Sequence, residues 1–585
     1  MERRQVARVL AEIAEMQELA GANRFKVRAY ERAAEALLAF SGDLEEAVRT
    51  GRLREVPGIG ASIFGNVEAL VRTGRLPLYD ELRASFPRGL SECLRVPGLG
   101  ARKVKVLYDA LGVDSLEALE RACREGRLAS VRGFGKKSAA HLLRGIRMVR
   151  ASAGFFRHSS AAARGRALAA SLSRSGLAES VSLGGGLRRL REVVRSIEIV
   201  ASSRSAAKLA KAYRDFPEVA DVASSEEDVV AIRFLDGLTA NLRIVPPEEF
   251  AAALLCFTGS RSHTIALRAF ARDRGFRLDE KGLFDLRGNR ISASSEAGIY
   301  GALGLADIEP ELREGHGEIE AAAEGRLPVL VARQDLRGLF HIHTVASDGR
   351  DTLETMVRAA KDAGYGYVAI TDHSQSAGYA GGLTMERMRA QREDVRALRR
   401  RLPEMRILHG AEADILADGS IDYGDDFLSE LDLVVASVHS RFGLNRDEQT
   451  ARLIRAVRNP RVAILGHPTG RLLLTREGVS ADMEAVIDAA AEHGCALEIN
   501  ASPHRMDLDW RLVRHAVERG ATLAIDPDAH STRELEFVPY GLAMARKGWA
   551  EPGSVLNTRG ADAVVAWLER RRGAPIPESL DRASG

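Results

Sequence analysis

Leu339-Phe340-His341-Ile342-His343-Thr344, with Asp348 four residues further on, decides how the C-terminal half of this chain is read. Side chains of a strand alternate between its faces, so histidines at i and i+2 of an apolar run point the same way. The pattern recurs downstream in short apolar runs at 367–371, 406–410, 433–438, 462–466, 496–500 and 522–526. Amphipathic stretches such as 352–363 and 481–494 separate them. Alternation of this kind predicts parallel strands joined by crossover helices. Polar chemistry closes nearly every run: Thr371-Asp372-His373, Gly410-Ala411-Glu412, Ser437-Val438-His439, Gly466-His467-Pro468 and Asp528-Ala529-His530. Seven strands with reactive groups at their C-terminal ends fit a closed barrel better than an open sheet.

Six of the 14 histidines fall at these strand ends, which isolated polar residues with satisfied hydrogen bonds do not explain. Imidazole and carboxylate donors suit Zn²⁺, Mn²⁺ or Fe²⁺, and a carboxylate such as Glu412 can bridge two ions.

A chain of 585 residues exceeds one core and calls for several domains. Its 45% hydrophobic and 28% charged content is that of a soluble globular protein. No run approaches the roughly 18 apolar residues of a membrane span, and no membrane partner is expected. The start, 1–19, reads as a charged amphipathic helix and not as a secretory signal. Cys93, Cys123, Cys256 and Cys495 are too scattered for a disulfide framework, so a cytoplasmic location is expected. The net charge of +3 hides a division. Residues 1–150 hold 27 basic against 19 acidic side chains, residues 151–333 hold 25 against 24, and residues 334–585 hold 32 against 38. A basic first part suggests a polyanionic partner, and an acidic last part suits bound cations.

The first 150 residues repeat a turn: Val56-Pro57-Gly58-Ile59-Gly60, Val96-Pro97-Gly98-Leu99-Gly100 and Val131-Arg132-Gly133-Phe134-Gly135, the last followed by Lys136 and Lys137. Paired glycines permit a tight turn that aims backbone N–H groups of the next helix at a phosphate. Three copies predict helix-hairpin-helix elements gripping DNA through its backbone, with Gly58, Gly60, Gly98, Gly100, Gly133, Gly135, Lys136 and Lys137 as candidate contacts. Beyond them, β-like runs at 180–183, 196–201, 228–234 and 240–245 lie among Arg/Ala-rich helices, an α+β unit. The acidic stretch 309–324 reads as a solvated helix or linker without chemistry.

Nine of these residues, His341, His343, Asp348, His373, Glu412, His439, His467, Asp528 and His530, resemble the ligand set of the PHP (polymerase and histidinol phosphatase) family at every position. The resemblance implies a distorted (β/α)7 barrel holding three divalent ions. His341, His343, Glu412 and Asp528 would hold one, Glu412, His439 and His467 a second, and Asp348, His373 and His530 a third. It implies phosphoester hydrolysis centred on Glu412, Asp528 and His341, with Arg441 and Arg505 as candidate phosphate clamps.

Residues 1–320 resemble a family X DNA polymerase, and with the barrel they match the bacterial two-part form of that family. The resemblance rests on Phe257-Thr258-Gly259-Ser260-Arg261-Ser262-His263 and on Gly185-Gly186-Leu187-Arg188-Arg189-Leu190-Arg191-Glu192. The second segment departs from the family pattern, with Gly186 for its serine and Leu190 for its second glycine. The three metal-binding aspartates read Ser196, Glu198 and Asn241. Three negative charges become one, so no Mg²⁺ is expected in the palm and nucleotidyl transfer is expected to be lost or severely impaired. At the lyase nucleophile position stands Asn66, whose amide cannot form a Schiff base; Lys26 is the nearby amine.

The expected architecture is multidomain: an 8 kDa-like helix-hairpin-helix domain 1–80, a fingers-like one 81–152, a degenerate nucleotidyltransferase palm 153–255, a thumb 256–320, a linker 321–333, the PHP barrel 334–573 and a tail 574–585. The expected protein is a monomeric DNA-repair 3′-5′ exonuclease acting on gapped, nicked or primer-terminus duplexes. The competing readings are a small-molecule phosphatase of the histidinol-phosphatase branch, a working gap-filling polymerase, and a non-catalytic DNA-binding scaffold.

Overall fold

The computed structural model describes residues 1–573 apart from 41, 88 and 227, with 136 and 137 described by backbone alone; the expected tail 574–585 lies outside the described residues. The chain forms two compact units, one of Met1–Thr258, Phe270–Ile299 and Leu474–Arg476, the other of Gly259–Ala269, Tyr300–Leu473 and Glu477–Gly585. Among the described residues no helix is long and apolar enough to cross a membrane.

In the first unit, helices Arg3–Leu19 and Arg24–Ala39 pack along each other, as the amphipathic pattern of 1–19 predicts. Val6, Leu10, Ile13, Leu37, Leu53, Val67 and Leu70 form their core. A second helical core, Leu90 to Val149, gathers Val96, Leu99, Val104, Leu119 and Ile146. Ile59, Val96, Leu99 and Val131 of the hairpin turns are buried, with Val56 and Phe134 half-buried against the same cores, and they hold each turn against its helices.

The five-stranded palm sheet comprises β1 (Ser180–Gly184), β2 (Ser196–Ser202), β3 (Asp221–Ser225), β4 (Val229–Arg233) and β5 (Thr239–Val245), in the order β1-β2-β5-β4-β3. Four strands lie where the apolar runs place them. β3 escapes the pattern because it is a partly exposed edge strand, DVASS, with little apolar periodicity. Ile197, Ile199 and Leu242 pack with Leu168 and Leu209 beneath the sheet. Period-two alternation therefore puts Ser196, Glu198 and Asn241 on the opposite face, and the register sets Glu198 beside Asn241.

The second unit carries seven parallel strands in sequential order: β6 (Gly338–Leu339), β7 (Tyr367–Ile370), β8 (Arg406–Asp414), β9 (Leu433–Ser437), β10 (Ile464–Leu465), β11 (Ala496–Asn500) and β12 (Leu523–Asp526). Their residues are almost all buried, as a sheet covered on both faces requires. A parallel bridge between Ile342 and Ala529, with His343 N–H donating to the Ala529 carbonyl at 2.9 Å, joins the first strand's extension to the last and nearly closes the barrel. Helices Leu353–Asp362 and Met483–His493 start at the expected points because Thr352 and Asp482 accept hydrogen bonds from the first-turn N–H groups of Thr355 and Ala485.

The acidic stretch 309–324 is solvated only in part: Glu309, Glu320 and Glu324 are exposed. Glu311, Glu314 and Glu318 are buried. The Lys547 ammonium, itself buried, pairs with Glu314, and Arg546 Nε donates to Glu311 at 2.7 Å. His263 Nδ1 lies 2.7 Å from Glu318 Oε1, and its Nε2 is 3.0 Å from the Tyr300 hydroxyl. Local charge density suggests exposure, but the partners Arg546, Lys547 and His263 lie more than 50 positions away in sequence.

Candidate metal centre

Each barrel strand delivers its terminal residues to one end of the barrel, and Glu412, at the end of β8, lies among five imidazoles. Its Oε1 is 2.9 Å from His467 Nε2, 3.2 Å from His439 Nε2 and 3.4 Å from His341 Nε2; its Oε2 is 2.8 Å from His373 Nδ1 and 3.7 Å from His343 Nε2. Asp528 Oδ1 is 3.2 Å from His343 Nε2 and 3.6 Å from His341 Nε2. Asp348 Oδ1 is 3.3 Å from His530 Nε2 and 3.5 Å from His373 Nε2. All nine expected residues thus meet in one cluster. Three sets could each hold a cation: His343, Asp348, His373 and His530; His341, His343 and Asp528; and His373, Glu412 and His439. These sets overlap with the partition the family resemblance implies without coinciding with it, His343 and His373 each being shared.

The donor chemistry fits divalent cations. His341 Nε2, both ring nitrogens of His343 and Glu412 Oε2 are buried and make no hydrogen bond, although opposite charges lie close by. Buried polar atoms are normally hydrogen-bonded, so donor atoms that converge within ion-pair distance but without hydrogen bonds mark a place for an ion. The electrostatics agree. Burial works against ionisation throughout, yet the imidazoles hold Glu412 and Asp528 well below the usual carboxylate range. In return the carboxylates overcome burial to raise His373 to about 10 and His439 and His530 to about 9. His343 goes the other way, to about 4, lowered by burial and then by the neighbouring His530 and His373.

Strain concentrates here too. His467 and Asp528 adopt left-handed backbone conformations (φ 25° and 52°), which L-residues seldom adopt without a surrounding that enforces them. Arg505 reaches the cluster: its Nε is 3.6 Å from Asp528 Oδ2, and its buried Nη1 has no hydrogen-bond partner. Arg441 has an exposed side chain on a left-handed backbone (φ 58°).

Around the ligand set stand residues that the sequence reading passed over. Glu498 of β11, fully buried, lies 2.5 Å from His341 Nδ1 and accepts the His467 N–H. Asp414 Oδ1 is 2.7 Å from His439 Nδ1, and Asn500 Nδ2 donates to Asp528 Oδ2 at 3.0 Å. Carboxylates behind histidines fix the ring that faces a metal. Asp526, beneath the cluster, is pushed up to about 7 by burial and by Glu498. The available signal was a glutamate inside the apolar run Ala496-Leu497-Glu498-Ile499-Asn500, since an acid there is buried.

In the palm, the three positions where carboxylates are expected form a hydrogen-bonded group. Ser196 Oγ donates to Glu198 Oε1 at 2.5 Å, and Asn241 Nδ2 donates to the same oxygen at 2.8 Å. Gly185 stands over it with φ 58°, where a Cβ would meet Glu198 Cγ at 2.7 Å. Leu190 takes the glycine-like conformation of its turn (φ 55°) at the strain a side chain brings. Arg188 pairs with Glu296 through Nη1 at 2.8 Å, and Arg189 Nη1 donates to the Thr258 carbonyl at 2.6 Å. Beside Gly186 a Cβ would meet Val194 Cγ1 at 3.1 Å. At the lyase position, Asn66 Nδ2 donates to the Tyr30 hydroxyl at 2.8 Å, and Lys26 is exposed.

The three hairpin turns share one geometry. Gly58, Gly98 and Gly133 have φ of 101°, 80° and 93°, and Ile59, Leu99 and Phe134 each donate N–H to the residue three before at 3.0 Å. Gly60, Gly100 and Gly135 cap helices Ala61–Thr73, Ala101–Leu111 and Lys136–Ser152. Glycine caps supply no side-chain oxygen, which leaves the first-turn N–H groups to an external anion. The side chains of Lys136 and Lys137 lie outside the described residues.

A helix-hairpin-helix domain profile matches residues 1–76, a SAM-like helix-hairpin-helix tandem 90–148, the DNA polymerase beta thumb 253–314 and the PHP domain 340–502. The DNA polymerase/3′-5′ exonuclease PolX of Bacillus subtilis is 35% identical over 97% of this chain and 100% of its own length. A probable phosphatase of Shewanella oneidensis is 33% identical over 32% of this chain and 75% of itself. One from Caldicellulosiruptor saccharolyticus is 31% identical over 33% and 80%.

Proposed function

The chain belongs to the family of bacterial DNA polymerase/3′-5′ exonuclease PolX proteins, and on that premise we propose that it is a DNA-repair enzyme whose barrel removes nucleotides from DNA 3′ ends while its palm no longer extends them. The observation that carries this reading is the contrast between the two polar centres. The barrel gathers six histidines and three carboxylates with converging, unpaired donor atoms. In the palm the three corresponding positions hold one carboxylate, and Ser196 and Asn241 occupy its Oε1.

The nine barrel residues would hold up to three divalent ions, with Zn²⁺, Mn²⁺ and Fe²⁺ matching the donors. Such ions supply Lewis acidity, which makes water nucleophilic near neutral pH and neutralises the phosphate. The chain's own groups do the rest. Glu498 and Asp414 hold His341 and His439 in one orientation. Arg505, with Nη1 unpaired at the edge of the cluster, would bind a non-bridging phosphate oxygen, and exposed Arg441 would clamp the strand behind it. The hairpin N-termini would hold the duplex through its phosphates, independent of sequence. In the palm, Mg²⁺ needs hard anionic oxygens in octahedral array, and a hydroxyl and an amide add no charge. Asn66, donating to Tyr30, offers no amine for lyase chemistry.

One assay decides. A gapped duplex with a labelled primer, Mn²⁺ and all four deoxynucleotides should be shortened from its 3′ end and not lengthened; extension, or an intact primer, overturns the reading. A second reading, a small-molecule phosphatase, rests on the probable phosphatases that match 32% and 33% of this chain. Fast turnover of a soluble phosphomonoester, unaffected by DNA, would replace the first.

A further inference from the structure

Resting on that reading, we infer that Tyr379 is a stacking platform for the base of the 3′-terminal nucleotide, so that the barrel selects a nucleotide end over a bare phosphoester. Tyr379 is 72% exposed, yet its ring centroid lies 6.3 Å from His373 and 6.2 Å from His439, at the rim of the cluster. The base of a terminal nucleotide sits one sugar away from its own 5′-phosphate. A phosphate over the cluster therefore brings that base to the rim.

The platform is rigid although its ring is not covered. Ala377, which precedes the turn Gly378–Ala380, and Ala380, its last residue, are buried, and Ala380 N–H donates to the Ala377 carbonyl at 2.9 Å. The loop is tied at both ends to the ligand strands. Ser374 N–H donates to the Glu412 carbonyl, Leu383 N–H to the His373 carbonyl, and the Tyr423 hydroxyl to the Leu383 carbonyl at 2.5 Å. Arg387 staples it to the adjoining loop, donating from Nη1 to the Gly381 carbonyl at 3.1 Å and from Nη2 to the Ala346 carbonyl at 2.6 Å. That second loop also presents Val345, 54% exposed. A fixed aromatic ring loses little freedom on binding and accepts any base, because every base has a π-face.

The test uses the full-length protein with Mn²⁺ and two oligonucleotides, one ending in thymidine and one in a tetrahydrofuran abasic residue joined by the same phosphodiester. The base-bearing end should have a KM about tenfold lower, equivalent to about 1.4 kcal/mol. Tyr379→Ala should erase that preference by raising KM for the base-bearing end alone, with kcat little changed, while Tyr379→Trp and Tyr379→Phe keep it. A second readout needs no hydrolysis: with Ca²⁺ replacing Mn²⁺, a 3′-terminal 2-aminopurine should be quenched by the unaltered protein and by Tyr379→Phe, and not by Tyr379→Ala. An unchanged preference or quench in Tyr379→Ala, or a loss in Tyr379→Phe equal to that in Tyr379→Ala, overturns the inference and leaves the exonuclease reading standing. Quenching without cleavage of either substrate would do the reverse.

Discussion

The palm cluster and the barrel cage are both polar groups carried on or beside sheet strands, and they are built on opposite principles. In the palm, two neutral donors converge on one carboxylate, and Glu198, Ser196 and Asn241 satisfy each other at 2.5 and 2.8 Å. In the cage, charged groups crowd together with donor atoms left over: His341 Nε2, both nitrogens of His343 and Glu412 Oε2 are buried without hydrogen bonds. A self-satisfied network is stable without a ligand, whereas converging unpaired atoms gain stability when a cation arrives. The difference teaches that readiness for a cation is read from what a site leaves unsatisfied.

The hardest test of this contrast removes a cage residue. Asp528→Ala or His341→Ala should lower Mn²⁺-dependent removal of 3′ nucleotides by about 10³-fold or more, since metal ions contribute several kcal/mol to the transition state. Initial rates on a labelled primer check this, and wild-type rates in either variant would place the chemistry elsewhere. A milder change acts behind the ligands. Glu498→Gln keeps the shape but drops the charge on His341 Nδ1, and should weaken metal affinity about 10- to 100-fold, measured by competition with a chelating dye.

Next comes a property the two units share. Burial lowers His409 in the barrel and His158 in the palm each to about 4, from about 6.5 in an unfolded chain. Each ring is neutral when folded, so stability is full above about pH 6.5 and falls as the pH drops from there towards about 4. The loss by pH 5 is about 2 kcal/mol per group. Denaturant titrations at pH 7 and pH 5 should show the difference shrinking by that amount in His409→Gln; an unchanged difference would mean that His409 is charged in the fold.

The smallest effect lies in the palm. Asn241→Asp sets a second carboxylate against Glu198, costing about 1 kcal/mol without metal, and millimolar Mg²⁺ should restore the loss in the variant while leaving the wild-type melting temperature unmoved. A wild-type palm stabilised by Mg²⁺ would erase the contrast.

Much of this was legible in the residues themselves. The barrel strands announced themselves as apolar runs ending in histidine or carboxylate, and the hairpins as repeated glycines whose positive φ the structure displays at 58, 98 and 133. The edge strand Asp221–Ser225 was not, because an exposed edge needs no apolar alternation. Nor was the burial of Glu311, Glu314 and Glu318, whose partners Arg546, Lys547 and His263 are distant in sequence.

The sequence alone determined which side chains end each strand, and hence the inventory of the cage and the missing charges of the palm, because strand periodicity is local. Tertiary structure decided which of those atoms remain unpaired, that Glu498, Asp414 and Asn500 stand behind the ligands, and that Tyr379 overlooks them. Hydrogen-bond satisfaction and proximity depend on residues brought together from separate strands, and no local pattern encodes them.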